Sequence, residues 1–179
     1  YPRTYVRLAV DSPVQVHDLE VARAINRHET PMTNGPFVEL WVSDTGIGGE
    51  VKGQAHVVKV RVRKASWVHV DTVNLIVNGL VEKTLPLTDS ADETVAATLT
   101  FARDAYVVAE VSGRTQSLWP VVTPIEEPPL TVLDAVGELG ANFGLQSNPL
   151  GPLTPDITKP VYPYAITDPI WVDADGNGS

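Results

Sequence analysis

Apolar and polar residues alternate most regularly between His56 and Val111. Val58, Val60 and Val62 alternate with Lys59, Arg61 and Arg63, which gives one strand an apolar face and a cationic one. Val73, Leu75 and Val77 repeat the period of two, and Asn78-Gly79 follows before Leu80 to Leu85. Asn-Gly supplies the two positive-φ residues of a type I′ turn, so residues 72–86 are expected to form a hairpin. Val95, Ala97, Leu99 and Phe101 alternate next, and Ala105 to Ala109 closes the set. Several short strands with turns between them predict a sandwich or a barrel. The expected fold is mainly β: an immunoglobulin-like antiparallel β-sandwich of about seven or eight strands, with one N-terminal helix and a short helical insert near 130–145.

The flanks are less regular. Residues 1–10 predict an extended segment. Asp11 or Ser12 is placed to cap a helix with Pro13 in its first turn, and Val14, Leu19, Val21, Ala22 and Ile25 give it an apolar stripe through His28. Thr33-Asn34-Gly35-Pro36 is turn chemistry, and Phe37 to Val42 predicts a strand. Ser43 to Gly49 predicts a flexible hairpin connection, because its glycines lack the spacing of a dinucleotide loop. Beyond Gly113, prolines at 120, 124, 128 and 129 predict a stiff connector. Leu133, Val136, Leu139 and Phe143 fall at helical spacing, weakened by Gly137, Gly140 and Gly144. Val161 to Val172 predicts a last strand. Two regions result: residues 1–36, and a sandwich over 37–179 carrying a proline-rich insert at 119–160.

A chain of 179 residues, 43% of them hydrophobic, can bury a core without disulfides or metal. The lack of cysteine excludes thiol nucleophiles and zinc–thiolate sites, and leaves the compartment open, with a secreted or periplasmic setting favoured over a cytoplasmic one. A net charge of −9 argues against a nucleic-acid surface, so the Lys59/Arg61/Arg63/Lys64 stripe is expected to be a solvated strand face. No apolar run approaches the ~20 residues of a membrane-spanning helix. The opening Tyr1-Pro2-Arg3-Thr4-Tyr5-Val6 has no polar leader and predicts a piece of a longer protein.

Candidate chemistry is sparse. His17 and His28 share a helix face but lie ~16 Å apart along it, too far for one metal. His56 and His69 flank strands, and no metalloprotease or serine-hydrolase motif occurs. Glu126/Glu127 and Asp89/Asp92/Glu93 are expected to be solvated charge in turns and connectors. Trp41, Trp67, Trp119 and Trp171 suit packing or a sugar-stacking platform, with Trp41 and Trp67 the candidate binding residues. Asp173-Ala174-Asp175-Gly176-Asn177-Gly178-Ser179 matches the first seven positions of a calcium loop without its closing glutamate. Asp173, Asp175, Asn177 and Ser179 are therefore candidate calcium ligands, the alternative being a polar terminal turn.

Several pieces together resemble the C-terminal region of PHP-domain metallohydrolases of the CehA/McbA type. They are Pro2 to Val6, Thr33 to Phe37, Ala65-Ser66-Trp67-Val68 through Val77-Asn78-Gly79, and Tyr164 to Ile170 with the trailing Asp173-x-Asp175-Gly-Asn-Gly. The resemblance covers nearly the whole chain on short motifs. It implies that an Arg-Thr-Tyr segment follows the last metal-binding histidine motif, and that the divalent-metal ligands of the parent hydrolase lie upstream of Tyr1. No ligand position carries over. Asp168 stands where the resemblance expects asparagine, and either residue forms an Asx-turn; residues 124–160 fall outside it.

The expected function is accordingly a non-catalytic accessory sandwich that braces the catalytic domain of a larger metal-dependent hydrolase. Residues 1–36 would be a remnant of that domain, with an exposed apolar helix face and a homodimer through it as consequences. The alternative is a carbohydrate- or surface-binding module with a weak calcium site. A third reading is a hydrolase using the chain's own Ser, His and Asp residues.

Overall fold

A computed structural model describes residues 2–10, 12–122, 125–127 and 157–178. The expected helical insert near 130–145 and Ser179 lie outside the described residues. Two compact units make up the chain, residues 1–118 with 162–179 and residues 119–161.

In the first unit, β1 (Arg3–Thr4) is followed by a 3₁₀ turn over Pro13–Gln15, helix α1 (Asp18–Asn26) and β2 (Met32–Thr33). The helix expected over 14–28 is thus split. Val16 and His17 both hold extended backbone, so Pro13 opens only the short turn and α1 starts afresh after His17. Next come β3 (Phe37–Val42), β4 (Thr45–Gly46), β5 (Glu50–Lys52) and β6 (Ala55–Arg63). Strands β7 (Thr72–Val77) and β8 (Leu80–Pro86) form the expected hairpin. Asn78 and Gly79 between them have φ of 49° and 83°, the two positive values of a type I′ turn. Then follow β9 (Asp92–Thr100) and β10 (Ala105–Ser112). The second unit contains β11 (Ile125–Glu127) paired antiparallel with β12 (Ile157–Lys159), so Glu126 and Glu127 belong to a strand and not to a connector.

The chain ends in β13 (Tyr164–Ile166) and β14 (Ile170–Asp173), where one continuous strand was expected. The break has a long-range cause. Asp168 Oδ2 accepts hydrogen bonds from Thr30 N and Thr30 Oγ1 at 2.8 and 2.7 Å, and forms no local Asx-turn. Thr167 Oγ1 meanwhile takes the Ala109 N–H at 3.0 Å, and Pro169 has no N–H to give a ladder.

Strands β3, β6 and β9 lie side by side in one antiparallel sheet, with β4 beyond β3. The other sheet is built on β10, with β7 and then β8 on one side and β13 and β14 sharing the other. β1 and β2 extend it past β13, and β5 runs parallel to β14 as an exception to the antiparallel rule. With β3, β6, β9 and the short β4 in one sheet and β7, β8, β10, β13 and β14 in the other, the body is an immunoglobulin-like sandwich. Val38, Leu40, Val42, Val58, Val60 and Val62 from the first sheet meet Val73, Leu75, Val107, Ala109, Val111, Ala165 and Ile170 from the second, all buried. Each such valine, leucine or isoleucine contributes roughly 1.5–3 kcal/mol when removed from water.

Candidate functional site

Strand direction sorts the connections into two groups, one at each end of the sandwich. Residues 43–54, 101–104 and 173–178 share one end; residues 64–71, 87–91 and 113–118 share the other.

At the first end the C-terminal loop folds around Asp173, which is only 3% exposed. Its Oδ1 accepts the Gly176 N–H at 2.8 Å, and its Oδ2 accepts the Gly178 N–H at 3.0 Å. Gly176 and Gly178 carry positive φ of 76° and 79°, which turns their amides inward. Lys52 Nζ from β5 stands 3.2 Å from Asp173 Oδ2. Burial by itself raises the pKa of the Asp173 carboxyl, but Lys52 and the two amides outweigh it and hold the group below its ordinary 3.8. Carboxylate oxygens of Asp104, Asp173 and Asp175 lie within 4.8 Å of one another. Asp104, from the loop after β9, also accepts the Ala174 N–H at 2.8 Å.

Of the four candidate calcium ligands, the fold therefore brings Asp173 and Asp175 together and adds Asp104. Asn177 turns its side-chain amide onto Asp175 Oδ2 at 2.9 Å, and Ser179 lies outside the described residues. Three carboxylate oxygens close enough to share a cation are about half of the six to eight that calcium takes. Here the Lys52 ammonium already supplies positive charge.

Beside this loop, Ser43 Oγ lies 3.0 Å from His56 Nδ1, and His56 Nε2 lies 2.9 Å from the Gly53 carbonyl oxygen. A carbonyl only accepts, so Nε2 carries a proton toward it and Nδ1 accepts from the Ser43 hydroxyl. The ring, mostly buried, thereby has both nitrogens satisfied.

At the second end Lys64 is tucked in, its side chain 2% exposed, with Nζ 2.7 Å from Asp89 Oδ1. Asp89 Oδ2 faces His69 Nδ1, also at 2.7 Å. The Lys64 hydrogen bond is the main force holding the Asp89 carboxyl below its ordinary value, against desolvation and with help from His69. Asp71 ties the same end together by accepting from Arg114 N and Thr115 Oγ1 at 2.8 and 3.1 Å. One serine–histidine pair and one histidine–aspartate pair thus exist at opposite ends, and they do not combine into a triad.

Lys64 corrects the expectation of a wholly solvated cationic stripe. It continues the inward row of His56, Val58, Val60 and Val62, a parity visible in the sequence. The other three cations are exposed and paired: Arg61 with Asp92 at 2.5 and 2.8 Å, Arg63 with Glu39 at 3.1 Å, and Lys59 more loosely with Asp44 at 3.9 Å. Asp92 and Glu93 accordingly belong to β9, with Glu93 accepting from Thr88 N and Oγ1.

The two candidate tryptophans are not neighbours. Trp41 sits on the outer face of β3 opposite Lys59, in a shallow depression of about 480 Å³ that Arg61, Asp92 and Thr94 also line. Trp67 is exposed in the loop after β6, at the second end. Trp171 stacks edge-on against His28 with 5.2 Å between ring centroids, and Trp119 belongs to the second unit.

Helix α1 is the remaining surface of note. Glu20, Val21 and Ala24 turn toward the body, with Ala24 fully buried, whereas Leu19 and Ile25 are 69% and 51% exposed. Glu20 Oε2 is buried with no hydrogen-bond partner among the described residues. Val14, just upstream, is 92% exposed. The helix thus buries a carboxylate on its inner side beside Val21 and Ala24, and leaves Leu19, Ala22 and Ile25 in solvent.

Among known proteins, no family model, no curated protein and no solved structure matches this chain.

Proposed function

We propose that this sandwich is a non-catalytic accessory domain of a larger metal-dependent hydrolase of the PHP type, which it braces through its N-terminal segment. The observation that carries this reading is the orientation of α1. An amphipathic helix that serves only its own domain turns its apolar stripe inward. Here Leu19, Ala22 and Ile25 face away and only Val21 of the stripe turns inward, on the segment that, by the resemblance, would adjoin a catalytic domain. Residues 3–33 fit a hinge piece, since they join the sandwich through two-residue strands and through Thr30 on Asp168.

The test is binding of the 179-residue chain to the separately expressed catalytic region encoded upstream of Tyr1. A Leu19→Ser/Ile25→Ser double variant is expected to weaken that complex by tenfold or more, on the order of 1.4 kcal/mol, while the melting temperature of the chain alone stays unchanged. Equal binding by both forms, or metal-dependent phosphoesterase turnover by the chain alone, would sink the proposal.

A second reading, a carbohydrate-binding module, is favoured by one observation: the half-buried Trp41 lies among Lys59, Arg61 and Asp92, polar groups suited to sugar hydroxyls. Quenching of tryptophan fluorescence by neutral or acidic oligosaccharides, abolished in Trp41→Ala, would support it; an unchanged spectrum across such a panel removes it.

A further inference from the structure

Strands β8 and β9 form the open flank of the sandwich, one in each sheet, and they are defended very differently. A free strand edge is a template for another strand unless something blocks it. Strand β8 is blocked in three ways. Its register breaks between Leu75 and Ile76, Lys83 falls opposite the buried Leu75, and Pro86 ends it. Strand β9 carries such a device at its start alone, where Asp92 and Glu93 lie and Glu93 falls opposite the buried Val62. Its nine pairs with β6 run unbroken from Ala55↔Thr100 to Arg63↔Asp92, and Thr94 to Thr100 contains no charge, proline or glycine. Among the described residues, nothing pairs with its second edge. The remaining edges are short: β1 and β4 have two residues each, and β5 has three, two of them charged.

The flank is also one strand wide. Val73 and Leu75 show which side of β7 faces the core, and Val77 lies on that side with Leu80 as its partner in β8. Leu80 is nevertheless 74% exposed. Among the described residues no strand of the opposite sheet lies beneath it, because that sheet stops at β9. A folded second copy adding through β9 would bring its own β7 into the space that β8 holds; a single extended segment would not. The hollow at the upper end of this slot, about 210 Å³, is lined by Val77, Leu80, Leu99 and Phe101, with Arg103 as its cation and Glu82 as its carboxylate. Arg103 makes no ion pair among the described residues.

We infer that the free edge of β9 is a strand-addition site for one extended segment of another polypeptide, uncharged at its centre and carrying a carboxylate at the end that meets Arg103. Main-chain hydrogen bonds along β9 supply the affinity, and side-chain positions supply the selection. Inward side chains of the segment lie beside Val95, Ala97 and Leu99 and must be apolar. Outward ones lie beside Thr94, Ala96 and Thr98 and suit threonine or valine. A charge at the centre would find no counter-charge between 94 and 100, while guanidinium–carboxylate pairing sets which end of the segment sits at Arg103. This surface is separate from the N-terminal one, and neither inference depends on the other.

The probe is an N-acetylated, C-terminally amidated nonapeptide of alternating threonine and valine ending in glutamate, with a second such peptide ending in lysine, titrated into the isotope-labelled 179-residue chain. Amide shifts confined to residues 93–103 and to the start of β8 are expected, with affinity about tenfold higher for the glutamate-ended peptide. Arg103→Glu should invert that preference, and Glu82→Gln should raise affinity for the glutamate-ended peptide about two- to threefold. Leu80→Ser should weaken both peptides. The peptide swap on the unaltered chain keeps the test informative if a variant folds poorly. Shifts located elsewhere, equal affinity for the two peptides, or a dimer in solution with β9 amides already protected would each overturn the inference.

Discussion

The body from Phe37 to Ser112 and the segment from Tyr5 to Pro31 respond to the same kind of patterning in opposite ways. In the body, outside the flank strand β8, most apolar residues of the alternation are buried, with Val58, Val60 and Leu75 fully so. In α1 three residues of the stripe, Leu19, Ala22 and Ile25, stand in solvent, while Val21 is turned inward together with Glu20 and Ala24. The difference lies in what fixes each element. A strand between two paired neighbours cannot rotate, because a one-residue slip would move every side chain to the wrong face. A helix of nine residues has no such ladder, and here it is held from beyond its C-terminal end. Gly48 packs so closely on the C-terminal turn of α1 that a Cβ there would lie 1.9 Å from the Arg27 carbonyl oxygen. Just beyond, Thr30 is held by Asp168. Anchors at one end of the helix decide its rotation, and its stripe does not.

The sharpest way to break this contrast is a pair of truncations of the same chemistry. Leu75→Ala, in the core, should cost about 3 kcal/mol of unfolding free energy in a denaturant titration. Leu19→Ala, in α1, should cost less than about 0.5 kcal/mol. If the two losses came out alike, Leu19 would be packed in solution and the outward arc would not exist.

The same contrast explains what could be anticipated from residues alone. The hairpin at Asn78-Gly79 was legible because both determinants, the turn dipeptide and the flanking alternation, sit within fifteen residues of chain. The core positions of β6, β7 and β10 were legible because a period of two survives any choice of partner strand. What escaped was set by contacts distant in sequence. The break between β13 and β14 depends on Thr30, 138 residues away from Asp168. Asp104 joins the C-terminal loop from a different connection, so contiguous calcium spacing reveals only two of the three acidic residues of the cluster. The glycine-rich turn at 46–49 looked like flexible linker, yet Gly48 is a close contact whose reason, the arrival of the α1 C-terminus, is invisible locally. Lys64 alone offered an overlooked signal, the inward parity of its position in β6.

Gly48 gives the second test. Its φ of +78° is a strained region for any other residue, and the added Cβ would collide with backbone atoms that have no room to yield. Gly48→Ala should cost about 2 kcal/mol. The loss should appear in hydrogen exchange as lowered protection of α1 amides, with β6, β7 and β10 protected as before. Uniform loss of protection across both regions would mean that the N-terminal segment and the body unfold as one unit, and that the end anchors do not separate them.

The smallest effect concerns the charged groups at the two ends of the body. Asp173 and Asp89 both have folded-state pKa values below the ordinary 3.8. For a depressed carboxylate, the unfolded chain binds the proton first, so the stabilisation is fully present above 3.8 and drains away as pH falls through the folded value. A melting-temperature profile should therefore be flat from neutral pH to about 5 on this account and fall below about 4. Asp173→Asn should shallow that acid limb, leaving the contribution of Asp89 with Lys64, and Lys52→Gln should act in the same direction by removing the cation that keeps Asp173 ionised. Because Lys52 is mostly exposed, its influence is screened by salt, whereas the Lys64–Asp89 pair, with its lysine enclosed, should resist added salt. An acid limb made shallower by Asp173→Asn but unchanged by Lys52→Gln would show that Asp173 is held by its loop amides and not by Lys52; a limb unchanged in both would show that Asp173 is not depressed at all.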